Sequence, residues 1–174
     1  MPVLDFPAII YVMGTSGSGK STIGEALAKK LPIGYAFIDG DHFHPPENRE
    51  KMAKGIPLND ADRLPWLCAI HDHAQAHKKL VVACSALKST YRAILRENLD
   101  AFFVFLKVDR EILKQRMESR VGHFISPTLL DSQLATLEHP KDEPNFLIVQ
   151  NNGELAVDRL VEEIIERIDE RGNE

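Results

Sequence analysis

The chain has little cysteine, no excess of positive charge and no long apolar run, and each shortage removes a class of function. Two cysteines in 174 residues, Cys68 and Cys84, form no C-x-x-C pair. That argues against a disulfide framework or a zinc ribbon and for reduced thiols in a cytoplasmic protein. Lys and Arg number 21 against 26 Asp and Glu, a net charge of −5, with no basic block. A general nucleic-acid binder is therefore not expected, and an anionic substrate would need locally placed cations. No apolar stretch approaches the roughly 20 residues that span a bilayer. The start, Met1-Pro2-Val3-Leu4-Asp5, lacks the basic and apolar segments of a signal peptide. No N-K-x-D guanine-recognition sequence, internal repeat or low-complexity linker occurs. The length suits a single domain over residues 1–174.

What is present is an alternation of short apolar runs with helical patterns. Ala8–Met13, Tyr35–Ile38, Leu80–Cys84, Phe102–Val108 and Phe146–Val149 read as strands rich in Val, Ile and Phe. Helical periodicity covers Ser21–Leu31, Pro46–Lys54, Ala61–Lys79, Lys88–Asn98, Arg110–Val121, Thr128–Glu138 and Glu154–Arg171. This order predicts an α/β fold, a five-stranded parallel sheet with helices on both faces. Gly122, His123 and Pro127 interrupt two helices and suggest the hinge of a helical flap. The last helix has a regular apolar face, from Leu155 to Ile168, that reads as docking on the sheet.

Gly14-Thr15-Ser16-Gly17-Ser18-Gly19-Lys20-Ser21 fits G-x-x-x-x-G-K-[ST] between the first strand and the first helix, the context a phosphate-binding loop requires. Glycines let the backbone approach a phosphate chain, and the helix N-terminus adds unpaired N–H groups. Lys20 should reach the β- and γ-phosphates, and the Ser21 hydroxyl should ligate Mg²⁺. A nucleoside triphosphate is the expected ligand. The third strand ends in Cys84-Ser85-Ala86, without a Walker-B aspartate, whereas the second runs into Asp39-Gly40-Asp41. Two carboxylates at a strand's carboxyl end can share the phosphate crevice, one serving the Mg²⁺ water shell and the other accepting the proton of an attacking hydroxyl. The same triplet also suits an ordinary turn. His71-x-His73-x-x-x-His77 invites a zinc reading, but no cysteine or well-placed acid completes a site.

The phosphate loop through Thr22, Asp39-Gly40-Asp41-x-x-His44-Pro45, Pro57-Leu58-Asn59-Asp60-x-Asp62-Arg63-x-Pro65-Trp66-Leu67, Cys84-Ser85-Ala86-Leu87-Lys88-x-x-Tyr91-Arg92 and Arg120-x-Gly122-His123-Phe124 together resemble the gluconokinase family, in the shikimate-kinase-like branch of phosphate-loop kinases. The likeness runs from Ala8 to about Gln150, and the second and third of these segments after the loop are the most specific. It implies a three-layer α/β/α kinase fold with a small helical lid, near residues 116–138, and an acceptor-binding insert, near residues 42–66. It further implies transfer from ATP to the 6-hydroxyl of D-gluconate, with Mg²⁺, in a homodimer.

Under that resemblance Gly14, Ser16, Gly17, Ser18, Gly19, Lys20, Ser21 and Thr22 would bind ATP, with Ser21 and Asp39 toward the metal. Asp41 would be the base. His44, Asn48, Lys51, Asp60 and Arg63 lie in the insert, and Arg63 suits the carboxylate because a guanidinium binds it bidentately. Asp60 or Asp62 also reads as a helix cap. Trp66 could wall the pocket or belong to the core. Lys88 and Arg92, spaced i, i+4, suggest a second cationic contact or a solvated basic face. Arg116 and Arg120 would close over ATP as lid arginines, or form a surface charge pair; His123, in the flap, would contact the acceptor. Another small acceptor, such as shikimate or a nucleoside, and a nucleotide-dependent switch are the alternatives; an acceptor requirement for ATP turnover separates the switch from a kinase.

Overall fold

Strands β1 (Ile9–Met13), β2 (Ala36–Asp39), β3 (Leu80–Ala83), β4 (Ala101–Lys107) and β5 (Phe146–Gln150) form one parallel sheet in the order β2-β3-β1-β4-β5. The structure, a computed structural model, describes residues 5–32, 34–119 and 126–172. The five expected strands are all present, with no end displaced by more than one residue. β1, β3 and β4 are buried almost throughout, as a parallel sheet covered on both faces requires.

Side chains alternate between the two faces, which sorts the core into two layers. Tyr11, Met13, Val82, Phe103 and Phe105 meet Trp66, Leu67 and Ile70 of α3 (Asp60–Gln75) and Tyr91 and Leu95 of α4 (Ser89–Arg96). Ile10, Val12, Val81, Val104 and Leu106 meet Ile23 and Leu27 of α1 (Lys20–Lys30) and Leu160, Ile164 and Ile168 of α7 (Val157–Gly172). The tail helix therefore docks as its apolar face predicts. Of the remaining helices, α2 (Pro46–Ala53) lies in the insert after β2, α5 (Arg110–Glu118) follows β4, and α6 (Pro127–Thr136) comes between α5 and β5. In a parallel sheet every carboxyl end lies on one edge, and the phosphate loop, Asp39, Ser85 and Asn151 are brought to it.

Gly40 shows how tightly that edge is built. A Cβ there would lie 2.7 Å from the Ala83 carbonyl oxygen, so only glycine lets the chain leave β2 against the end of β3. The two aspartates of the D-G-D triplet flank this contact.

Candidate active site

The phosphate loop is open at the front and tied at the back. Gly19 is the N-cap of α1 with φ 93°, no side chain caps the helix, and no acid lies in its first turn. Its leading N–H groups and positive dipole end are thus left for an anion. A β-carbon at Gly19 would come within 2.8 Å of Asn151 Nδ2. Behind the loop, Arg116 donates to the Gly17 carbonyl at 3.0 Å and the Asn151 carbonyl at 2.7 Å, while Asn151 Nδ2 donates to the Ser18 carbonyl at 2.8 Å. In a trans peptide the C=O and the next N–H oppose each other, so holding the Ser18 carbonyl on Asn151 aims the Gly19 N–H away from it. Lys20 Nζ donates to Thr15 O at 3.0 Å.

Asp39 organises the other rim. Its Oδ2 accepts from the Ser21 hydroxyl at 2.9 Å, and its Oδ1 accepts from the Asp41 N–H at 3.0 Å. The second bond starts a short 3-10 turn, Gly40–Phe43, which carries Asp41 to the cavity. A hydroxyl and a carboxylate in contact beside a phosphate loop are the hard oxygen donors that Mg²⁺ favours. The donor set fits that ion.

A cavity of about 100 Å³ joins the loop to the insert, lined by Ser16, Lys20, Asp41, His44, Arg63 and Ser85 on its polar side. Met52, Leu58, Trp66, Leu87 and Leu129 supply its apolar wall. Trp66 is both wall and core: it is buried, its Nε1–H donates to Gly40 O at 2.8 Å, and its ring carries the His44 imidazole. Asn48 Nδ2 donates to Asp62 O at 2.9 Å and stands 3.2 Å from His44 Nδ1. The amide's second hydrogen therefore falls to Nδ1, and the ring carries its own proton on Nε2, which lies 3.9 Å from Asp41 Oδ1. Burial lowers the His44 pKa to about 4, against the pull of Asp41, so the ring is neutral near pH 7.

Arg63 is buried at the cavity and positioned from behind. Its Nη1 donates to the Tyr91 hydroxyl at 3.2 Å, and that hydroxyl donates to Asp60 Oδ1, which also accepts from Lys88 Nζ at 2.9 Å. The bonds from Tyr91 and Lys88 hold the Asp60 carboxyl below its usual range.

A family model described as shikimate kinase matches residues 16–169. The chain is 44% identical to a probable gluconokinase of Xenopus tropicalis over 183 aligned residues, covering 94% of each. It is 45% identical to a gluconokinase of Gluconobacter oxydans, covering 91% of this chain and 90% of that one. A solved gluconokinase from Sinorhizobium meliloti superposes with a TM-score of 0.82 at 44% identity, covering 95% of both chains. The chain belongs to the gluconokinase family. It is accordingly an ATP-using phosphotransferase, and its sheet and loop are those of a phosphate-loop kinase.

In this member of the gluconokinase family, Arg92 requires a correction. Expected at the substrate, it is fully buried and bonded to Glu143 at 2.7 Å and to the carbonyls of Ala86, Leu87 and Glu138. The reason is local. Lys88 is the N-cap of α4, outside the helix, so the i, i+4 spacing does not place the two cations on one face. Lys88 pairs with Asp60, and Lys51 pairs with Asp62 at 2.9 Å; neither lines the cavity. Asn59, rather than Asp60 or Asp62, caps α3, with Asp62 completing a capping box. Arg116 holds the Gly17 carbonyl of the loop and the Asn151 carbonyl in this structure. Arg120, His123 and the flap hinge lie outside the described residues. His73 and His77 pack ring against ring at 4.4 Å, and no metal-holding group of three His, Cys, Asp or Glu side chains occurs among the described residues.

Three site residues escape sequence reasoning. Asn151 carries no signal beyond its place after the last strand, and Tyr91 none beyond its place in a motif. Gln133 of α6 carries no signal at all. Its Oε1 accepts from the Ser16 N–H at 2.8 Å and its Nε2 donates to Ser16 Oγ at 3.0 Å.

Proposed function

We propose that the protein transfers the γ-phosphoryl group of ATP to the 6-hydroxyl of D-gluconate, giving 6-phospho-D-gluconate and ADP. The observation that carries this reading is that Lys20, Asp41 and Arg63 face one cavity: a phosphate cation, a carboxylate base and a guanidinium. Asp41 takes the hydroxyl proton as the O6–P bond forms and the bond to the ADP oxygen breaks. Lys20 and the loop N–H groups bind the phosphates and stabilise the departing charge. Arg63, held by Tyr91, binds the carboxylate at the far end of the acceptor and so fixes which hydroxyl reaches Asp41. His44 offers its Nε2–H to an acceptor hydroxyl, and Trp66 excludes water beneath it.

Ser21 and Asp39 are the residues that would hold Mg²⁺, whose chemistry is to neutralise phosphate charge. No helix among the described residues is long and apolar enough to cross a membrane, and Cys68 and Cys84 are free. A cytoplasmic homodimer belongs with this reading.

The test is ADP release from Mg-ATP against gluconate, other sugar acids, shikimate and nucleosides. Turnover that depends on gluconate supports the reading. Stimulation only by a different acceptor sinks it.

A further inference from the structure

We infer that Gln133 is a positioning residue for phosphoryl transfer: by clasping Ser16 it couples the seating of α6 over the acceptor cavity to the shape of the phosphate loop. The inference rests on the kinase reading above and concerns a residue that reading does not use.

The geometry is a closed ring of two hydrogen bonds. One atom of the carboxamide accepts the Ser16 N–H and the other donates to the Ser16 hydroxyl, at 2.8 and 3.0 Å. A carboxamide alone among the side chains offers an acceptor and a donor in that fork. Ser16 lines the same cavity as Lys20 and Asp41, so the clasp sits where the loop faces the acceptor. The helix that carries Gln133 forms the cavity's cover, since Leu129 and Ser132 of α6 line it too and Leu129 is buried. At its other end, α6 is capped by Ser126, which packs beside Gly55 of the acceptor insert. One helix thus rests on the acceptor insert with its first residues and on the phosphate loop with Gln133.

The loop is then clamped from two directions. Arg116 and Asn151 hold the carbonyls of Gly17 and Ser18 from behind, and Gln133 holds the N–H of Ser16 from the cover. A loop shaped by both clamps is complete only when α6 is down. Water is excluded from the transfer site in that state, which favours the acceptor hydroxyl over hydrolysis.

The variants are Gln133→Ala and Gln133→Asn; the second keeps the amide but is one methylene too short to reach. Both are expected to lower gluconate-dependent kcat about tenfold, the loss of one or two hydrogen bonds, while KM for ATP changes less than about threefold. Acceptor-independent ATP hydrolysis should become a larger fraction of turnover. Independently of activity, exchange of the Ser16 amide hydrogen, followed by NMR without nucleotide, should accelerate in both variants. Wild-type kcat and hydrolysis fraction in Gln133→Asn would overturn the inference. So would equal losses of transfer and hydrolysis with Ser16 protection kept, the sign of a general packing defect. A wild-type protein inert toward gluconate would remove the assigned acceptor, but an unchanged Ser16 exchange rate would still overturn the clasp by itself.

Discussion

The imidazole of His44 lies flat on the indole of Trp66, with ring centroids 4.2 Å apart and planes 12° from parallel. The stack puts an apolar floor under a ring whose Nδ1 accepts from Asn48 and whose Nε2 stands 3.9 Å from Asp41 Oδ1, within reach of a ligand hydroxyl. It explains why His44, at the mouth of a polar cavity, is held neutral.

That neutrality has a signed consequence for stability. The folded-state pKa of about 4 lies below the ordinary 6.5, so between these values the unfolded chain binds a proton that the folded one refuses. The groups facing the ring are Asp41, which favours the charged form, and Arg63 and Arg49, which oppose it. Stability is therefore full above pH 6.5 and falls as pH drops toward 4, by an amount on the order of 3 kcal/mol. Denaturant unfolding from pH 7 to 4, followed by the lone Trp66, should show this slope, and His44→Gln should flatten it. Equal slopes in both proteins would show that the imidazole is not the titrating group.

Asp41 is exposed to the cavity and fixed by its backbone N–H on Asp39. Asp41→Asn keeps the shape and removes the proton acceptor. Gluconate-dependent kcat should fall by about 10² to 10⁴ while ATP still binds. Calorimetric titration with ATP beside steady-state rates checks both halves. A fall of less than threefold would take the base role from this residue.

Arg63 should act on binding rather than on chemistry. Arg63→Lys loses the planar fork, and KM for gluconate should rise about tenfold or more with KM for ATP unchanged. Tyr91→Phe removes the hydroxyl that links Arg63 to Asp60 and should give a smaller rise in the same constant. If sugar acids and their uncharged sugar analogues lose affinity equally in Arg63→Lys, the carboxylate contact is elsewhere.

The parts of this architecture that were legible in the sequence are those whose signal is local. The phosphate loop and D-G-D each occupy a few consecutive residues at the end of an apolar run, and the alternating runs gave the sheet. The clasp of Gln133 on Ser16 joins positions 117 apart in the chain, and no periodicity within α6 marks it. The stack of His44 on Trp66 depends on how the insert folds back on α3, so the tryptophan could only be read as wall or core. Arg92 was misread because i, i+4 reasoning assumes that both residues are helical, whereas Lys88 precedes the helix. Asp60 and Asp62 suggested a cap, and the cap position is taken one residue before Asp60 by Asn59, whose amide oxygen accepts the Asp62 N–H.

Arg92 accordingly makes a prediction about stability and not about substrate. It bridges the turn after β3 to the segment before β5 through Glu143, whose side chain is only 14% exposed. Arg92→Met leaves that carboxylate partly buried beside Arg96 alone and takes the Arg92 donor from the Ala86 and Glu138 carbonyls, while the Leu87 carbonyl keeps the Glu138 N–H at 2.7 Å. The loss should be about 3–5 kcal/mol in equilibrium unfolding, with KM for gluconate within about twofold of wild type in the folded fraction. A tenfold rise in that KM without a stability loss would return Arg92 to the substrate.

Asp39 links the metal requirement to the base. Its carboxylate touches both the Ser21 hydroxyl and the Asp41 backbone, so its removal should have two separable effects. Asp39→Asn keeps an oxygen that can accept from the Asp41 N–H but loses the charge that would attract Mg²⁺. The Mg²⁺ concentration for half-maximal rate should therefore rise about tenfold, and chelation with EDTA should abolish turnover in wild type and variant alike. Ser21→Ala removes the other donor and should raise the same requirement while leaving Asp41 in place. Titrating the rate with Mg²⁺ at fixed ATP measures both variants on one scale. An unchanged Mg²⁺ requirement in Asp39→Asn, with kcat alone reduced, would mean that Asp39 acts through Asp41 rather than through the metal.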